Sequence, residues 1–159
     1  MEAPQRILMV CLGNICRSPV AHGVMEHVLT ERLGKDHGLY VDSAGTSGFH
    51  QGESPDPRSQ ASAKQHGIDI SHQSSRPFTA QDFDAFDLIL VMDRSNRHNV
   101  LNLSRSADDD AKVSLMLESS FPGESREVPD PYYGGEHGFE NVFQLIEKAC
   151  HQWIDLWTQ

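Results

Sequence analysis

Apolar positions along the chain follow two different rhythms. Ile7-Leu8-Met9-Val10, Leu39-Tyr40-Val41 and Leu88-Ile89-Leu90-Val91-Met92 are short continuous runs, the length and composition of strands buried on both faces. Residues 112–117 give a weaker fourth run. Between them the spacing changes to three and four. Val20, Val24 and Val28, with Met25 and Leu29 alongside, form one stripe of a helix. Ser18 is placed to cap that helix, with Pro19 at its first position, and Gly34 ends it. A second helix is expected over 57–66, closed by Gly67, a short one over 79–86, and another over 93–103. At the end of the chain Phe139, Val142, Phe143, Ile146, Cys150, Trp153 and Trp157 recur at helical spacing, which predicts a long amphipathic helix with Cys150 and both tryptophans in the core. Segments 47–58 and 121–138 carry too much Pro, Gly and polar residue for a regular element.

Strands alternating with helices predict an α/β fold, a single doubly wound domain over 1–159 with a four-stranded parallel sheet and helices on both faces. Sheets of this kind bind ligands beyond the carboxyl ends of their strands. The segments 11–18, 42–46, 93 and 129–133 all reach that rim.

Composition narrows the function. The chain has 159 residues, with 13 Lys and Arg against 23 Asp and Glu, a formal net charge of −10. Such a balance disfavours nucleic acid or an anionic membrane as partner, because either needs cations against many phosphates. No apolar run approaches the roughly 20 residues of a membrane helix, and the first residues lack the apolar stretch of a signal peptide. Three cysteines, Cys11, Cys16 and Cys150, are too few for a disulfide framework and lack zinc-ligand spacing. The expectation is a cytoplasmic protein needing no metal or other cofactor.

The segment 11–18 carries the chemistry. It joins a strand to a helix N-terminus, where unpaired amides and the helix dipole favour an anion. Gly13 is expected to take a positive φ and curl the amides inward. Arg17 offers a planar fork to two oxygens of a tetrahedral oxyanion. The same field would favour the thiolate of Cys11, making it a nucleophile. Ser18 can donate a hydrogen bond to that sulfur, and Asn14 can hold the loop's shape. No Gly-x-Ser-x-Gly elbow and no Gly-x-x-x-x-Gly-Lys-[Ser/Thr] loop is present to support a serine hydrolase or a P-loop NTPase.

The string Cys11-Leu12-Gly13-Asn14-Ile15-Cys16-Arg17-Ser18-Pro19 resembles the signature loop of the low-molecular-weight protein tyrosine phosphatases. The resemblance extends over nearly the whole chain, through Asp42-Ser43-Ala44-Gly45-Thr46, Ser54-Pro55-Asp56-Pro57-Arg58, Met92-Asp93 and Asp130-Pro131-Tyr132-Tyr133. It implies a hydrolase that acts on phosphotyrosine-containing proteins through a cysteinyl-phosphate and releases inorganic phosphate. It implies that Asp130, stiffened by Pro129 and Pro131, is general acid and then general base. Leu12, Gly13, Asn14, Ile15, Cys16 and Ser18 would line the anion site, with Tyr132, Tyr133 and Phe49 as aromatic walls. Ile15 stands where relatives acting on phosphoarginine tend to carry Thr. Ser43 and His72 match residues that support the loop through Asn14, and Cys16 matches a resolving thiol for an oxidised Cys11. Thioredoxin-coupled arsenate reductases share the loop but need two more cysteines near 80–90, and none lies between Cys16 and Cys150.

Overall fold

In a computed structural model, which describes residues 2–133 and 135–159 without the side chains of Tyr133 and Glu136, the apolar runs become a four-stranded sheet. The strands are β1 (Arg6–Cys11), β2 (Tyr40–Gly45), β3 (Leu88–Val91) and β4 (Val113–Leu115). Their order is β2-β1-β3-β4 and every pairing is parallel, with Cys11 in register with Gly45, and Val10 with both Ala44 and Val91. The crossovers between parallel strands are helical. They are α1 (Arg17–Leu33), α2 (Pro57–Gln65), α3 (Asp82–Ala85), α4 (Arg94–Leu101) and α5 (Ala107–Ala111), and α6 (Gly138–Trp157) closes the chain.

Successive strand residues point to opposite faces, so β1 feeds two cores. Ile7, Met9 and Cys11 join Leu88 and Leu90, Val24 and Val28 of α1, and Phe143, Ile146 and Trp153 of α6. Leu8 and Val10 join Ile89 and Val91, Phe83 of α3 and Val100 of α4 on the other side. Cys150 and Trp157 sit in the first core as expected, and Trp153 Nε1 donates to the Met116 carbonyl at 2.8 Å. Among the described residues, no helix is long and apolar enough to cross a membrane.

Several boundaries differ from expectation. Helix α1 starts at Arg17, and its N-cap is Cys16, which contributes no side-chain bond. Ser18 is not the cap, because its hydroxyl is committed to the loop beneath. The third helix is confined to Asp82–Ala85. Helix α5 falls outside the expected helices, although Ser106 caps it by accepting from Asp109 N–H at 3.2 Å, a serine followed three residues later by an acid. Strand β4 is only three residues long because the chain turns into a 3₁₀ helix at Met116–Ser119. Within 121–138, Pro131–Tyr133 and Gly135–His137 form 3₁₀ turns.

Candidate active site

The segment between β1 and α1 is fixed by its carbonyls. Cys11 C=O accepts from Thr46 N–H and Leu12 C=O from Ser47 N–H, both at 2.9 Å, so β2 goes on binding the loop past its last sheet residue. Gly13 C=O accepts from Ser75 Oγ at 3.0 Å, and Ile15 C=O from Asp56 N–H at 2.8 Å. In a trans peptide the N–H points opposite to its C=O. Tying these four carbonyls to outside segments therefore turns the amides of Leu12, Gly13, Asn14 and Cys16 toward the concave side, at the positive end of α1.

The left-handed residue of this loop is Asn14, with φ 55°, and not Gly13. Asparagine tolerates that region when its short side chain is hydrogen-bonded. Here Oδ1 accepts from Arg76 N–H at 3.1 Å, which fixes the amide's orientation, and Nδ2 donates to Ser18 Oγ at 2.7 Å and Ser43 Oγ at 3.0 Å. Gly13 answers a demand for space instead, since a Cβ there would sit 2.9 Å from the His50 ring. Gly45 answers a stricter one. Its Cβ would lie 2.7 Å from the Leu12 carbonyl oxygen and 3.1 Å from Asn14 N, both backbone atoms.

Cys11 is buried at the end of β1, with Sγ 3.1 Å from Ser18 Oγ. Because Ser18 Oγ already accepts from Asn14, and the Ala44 carbonyl is a longer 3.5 Å away, the hydroxyl proton is directed at sulfur. Arg17 is buried too. Its hydrogen bonds to described residues all leave from Nη1, to Asp93 Oδ2 at 2.8 Å and the Val128 carbonyl at 2.9 Å. Asp93 is held in turn by capping α4, accepting from Asn96 N–H at 2.7 Å. One edge of the guanidinium is anchored, and the residue lines the cavity above Cys11.

That cavity, of about 300 Å³, is also lined by Leu12, Gly13, Ile15, Cys16, Ser47, Phe49, His50, Asp130 and Tyr132. The rim is apolar and open. Leu12, Tyr132 and Phe49 are exposed, Phe49 to 85%. Asp130 Oδ1 accepts from Tyr132 N–H at 2.9 Å, which turns the chain just past Pro131. The Tyr132 hydroxyl donates to Asp56 Oδ2 at 2.9 Å, and the Arg58 guanidinium lies 4.5 Å from the centre of its ring. Burial pushes the Asp56 carboxyl up, but bonds from Arg58 and the Tyr132 hydroxyl outweigh it and hold the group below the ordinary carboxylate range. The Cys16 thiol goes the other way, pushed up to about 12 by burial and by Asp56 and Cys11 nearby. A larger cavity of about 450 Å³ lies behind Tyr132, between α2 and α6, and holds none of these reactive groups.

The structure thus gathers Cys11 to Ser18, Phe49, Asp130 and Tyr132 at one rim, with Ser43 beneath. His72 is a correction. It is exposed and makes no bond to Asn14, whose Oδ1 is taken by the Arg76 amide. The side chain of Tyr133 lies outside the described residues. The parts played by Asp56, Arg58, Asp93, Arg76 and Ser75 are not among the roles expected from the sequence. A signal existed for Asp93, an acid at the end of the clearest strand and just before a helix, where it caps α4 and faces Arg17 of α1. Asp56 before Pro57 gave the same kind of signal.

A model of the family described as low molecular weight phosphotyrosine protein phosphatase matches residues 6–158. The chain belongs to that family. It is 43% identical over 145 residues to a putative low molecular weight protein-tyrosine-phosphatase of Synechocystis, covering 91% of both chains. It is 39% identical over 155 residues to the Homo sapiens low molecular weight phosphotyrosine protein phosphatase, covering 97% of this chain and 96% of that one. Its fold superimposes on a protein tyrosine phosphatase from Entamoeba histolytica, crystallised with Hepes in the active site, with a TM-score of 0.87, 38% identity and 95% of each chain covered. Family members are hydrolases with a cysteine nucleophile that act on phosphotyrosine, and Cys11 is present here.

Proposed function

We propose that Cys11, Arg17 and Asp130 carry out phosphotyrosine hydrolysis in the 300 Å³ cavity, the chain serving as one catalytic domain. The observation that carries this reading is that sulfur, guanidinium and carboxyl line a single cavity floored by amides. Cys11, as thiolate, attacks phosphorus in line. The S–P bond forms as the bond from phosphorus to the tyrosyl oxygen breaks, and the Asp130 carboxyl gives its proton to that oxygen. The free edge of Arg17 and the loop amides hold the three equatorial oxygens, where charge develops. Water then attacks phosphorus, the Asp130 carboxylate takes a water proton, and the S–P bond breaks to return the thiolate and inorganic phosphate. Ser18 steadies the sulfur as leaving group.

The rim residues Phe49, Tyr132 and Leu12 suit an aryl ring. Ile15 beside them keeps the wall apolar, which favours a phenol ester over a charged guanidino group. Tyr133 and Cys16 complete the proposed set, Cys16 as a thiol able to capture oxidised Cys11. A cytoplasmic, reducing setting suits a mechanism that needs Cys11 as a free thiol, and the charge of −10 suits phosphotyrosine proteins better than nucleic acid or membrane as partners. The test is hydrolysis of para-nitrophenyl phosphate by Cys11→Ser. Turnover is expected to vanish while phosphate still binds in calorimetry, and retained turnover would remove the mechanism.

A further inference from the structure

The network beneath the loop does not stop at Ser43. On the second turn of α1, His22 Nδ1 lies 3.4 Å from Ser43 Oγ, and its Nε2 lies 3.2 Å from Glu26 Oε1 one turn further along. The ring is well covered, with 12% of the side chain exposed, and Ser43 is buried. Donors and acceptors can be assigned outward from Arg76. Its backbone N–H takes Asn14 Oδ1, so both Asn14 Nδ2 protons go out, one to Ser18 Oγ and one to Ser43 Oγ. Ser43 Oγ is thus an acceptor toward Asn14 and must send its own proton elsewhere. Nδ1 of His22 is the acceptor in reach. That assignment leaves the ring proton on Nε2, facing the Glu26 carboxylate, so each member of the line has a role consistent with its neighbours.

We propose that His22 is a positioning residue for the phosphatase reaction. It holds the Ser43 hydroxyl with its lone pair toward Asn14, which keeps Asn14 in its left-handed conformation and keeps the Ser18 proton on the Cys11 sulfur. Without an acceptor at Nδ1, the Ser43 hydroxyl is free to turn its own hydrogen toward the Asn14 Nδ2 protons. Linked hydrogen bonds strengthen one another, so the loss is felt at the sulfur three bonds away. His22 does not touch the substrate cavity, and the lining residues of that cavity do not include it. The proposal rests on Cys11 being the nucleophile.

The experiment compares wild type, His22→Leu, His22→Asn and Ser43→Ala, alone and combined. Asn keeps an acceptor near the Nδ1 position and Leu does not. Each variant is assayed for kcat and KM on para-nitrophenyl phosphate and for the pH of half-maximal Cys11 alkylation by iodoacetate. For His22→Leu, kcat is expected to fall about three- to tenfold, the scale set by one hydrogen bond, with KM within about twofold and the alkylation midpoint moved to higher pH. His22→Asn should recover most of both losses. In the Ser43→Ala background, His22→Leu should add nothing. Wild-type values for His22→Leu, no recovery by Asn, or an undiminished effect on top of Ser43→Ala would each overturn the proposal. If His22→Leu fails to fold, His22→Ala, which also lacks the acceptor, replaces it in the same comparisons with the same expected and overturning results. A failure of the nucleophile assignment itself would show earlier, as wild-type enzyme that keeps its activity after alkylation of Cys11.

Discussion

The two loops that meet over the substrate are built in opposite ways. The loop between β1 and α1 is held through its backbone, with four of its carbonyls tied to outside segments, and Asn14 bonded to three partners. Among the described residues, the loop that carries Asp130 is held more sparsely, with Glu127 accepting from Arg94 N–H at 2.9 Å just before it. Val128 pairs with Met92 through its N–H and with Arg17 through its carbonyl, and Tyr132 reaches Asp56 through its hydroxyl. The first loop must present fixed dipoles to an anion, and dipoles stabilise charge best when they need no reorganisation. The second must deliver one proton to a leaving oxygen whose position varies with the substrate, and a side-chain latch is enough. Damage should therefore be abrupt in the first loop, where even one methyl group has nowhere to go, and graded in the second, apart from the acid itself.

Removing the acid gives the largest effect. Asp130→Ala should lower kcat by about a hundredfold or more, in the range of general-acid contributions. The loss should be greater on phenyl phosphate than on para-nitrophenyl phosphate, whose more acidic phenol needs the proton less. Equal losses on the two substrates would separate Asp130 from leaving-group protonation.

Gly45→Ala tests the rigid loop from below. The added Cβ would meet the Leu12 carbonyl oxygen at 2.7 Å, and that atom belongs to backbone already tied down by Ser47. Overpacking of this kind costs about 1–3 kcal/mol. Displaced amides should weaken phosphate binding and lower kcat together, by about ten- to a hundredfold, with little change in circular dichroism. Unaltered phosphate affinity by calorimetry would show that the loop yields more easily than its bonding indicates.

Much of this contrast was legible in the sequence, for identifiable reasons. A buried parallel strand and an amphipathic helix leave periods that survive in one dimension, so β1, β3, α1 and α6 could be placed. The nucleophile loop is contiguous, and its Cys, Arg and Ser-Pro stand in a pattern with few other uses. Partners brought together by topology leave no such trace. Arg17 meets Asp93, 76 residues on, only because β3 lies next to β1, and Tyr132 meets Asp56 across the same span of chain. The exchange between Gly13 and Asn14 was hidden for a different reason. Glycine is the default residue for positive φ, and only the bond from the Arg76 amide reveals why asparagine takes that place. His72 misled because the family pattern fixes its position in the chain but not the direction of its side chain.

The acid loop's latch gives the smaller effects. Tyr132→Phe keeps the ring and the Arg58 contact but deletes the bond to Asp56. A few-fold drop in kcat is expected, a small part of the roughly 1.5–3 kcal/mol that one hydrogen bond to a charged group contributes, because the latch acts on the acid only through the loop; phosphate affinity should be unchanged because the anion loop is untouched. Loss of phosphate affinity would mean that the two loops are coupled through Asp56, which also donates its N–H to the Ile15 carbonyl.

The same latch should respond to acid. Asp56 is held below the ordinary carboxylate range in the folded protein, against its burial, by the bonds from Arg58 and Tyr132. A depressed carboxyl contributes stability that is present above its unfolded value and is lost as pH falls through its folded value. At neutral pH, then, Tyr132→Phe should unfold at lower urea than wild type. As the solution is taken below the ordinary carboxylate range, the two midpoints should converge, because protonated Asp56 no longer gives the hydroxyl an anionic partner. Midpoints that stay equally far apart from neutral to strongly acidic pH would show that the Tyr132 hydroxyl stabilises the loop without drawing on the charge of Asp56. The ion pair between Arg17 and Asp93 serves as the internal comparison. Neither residue is altered in Tyr132→Phe, so whatever acid does to that pair appears in both proteins and cancels in the difference.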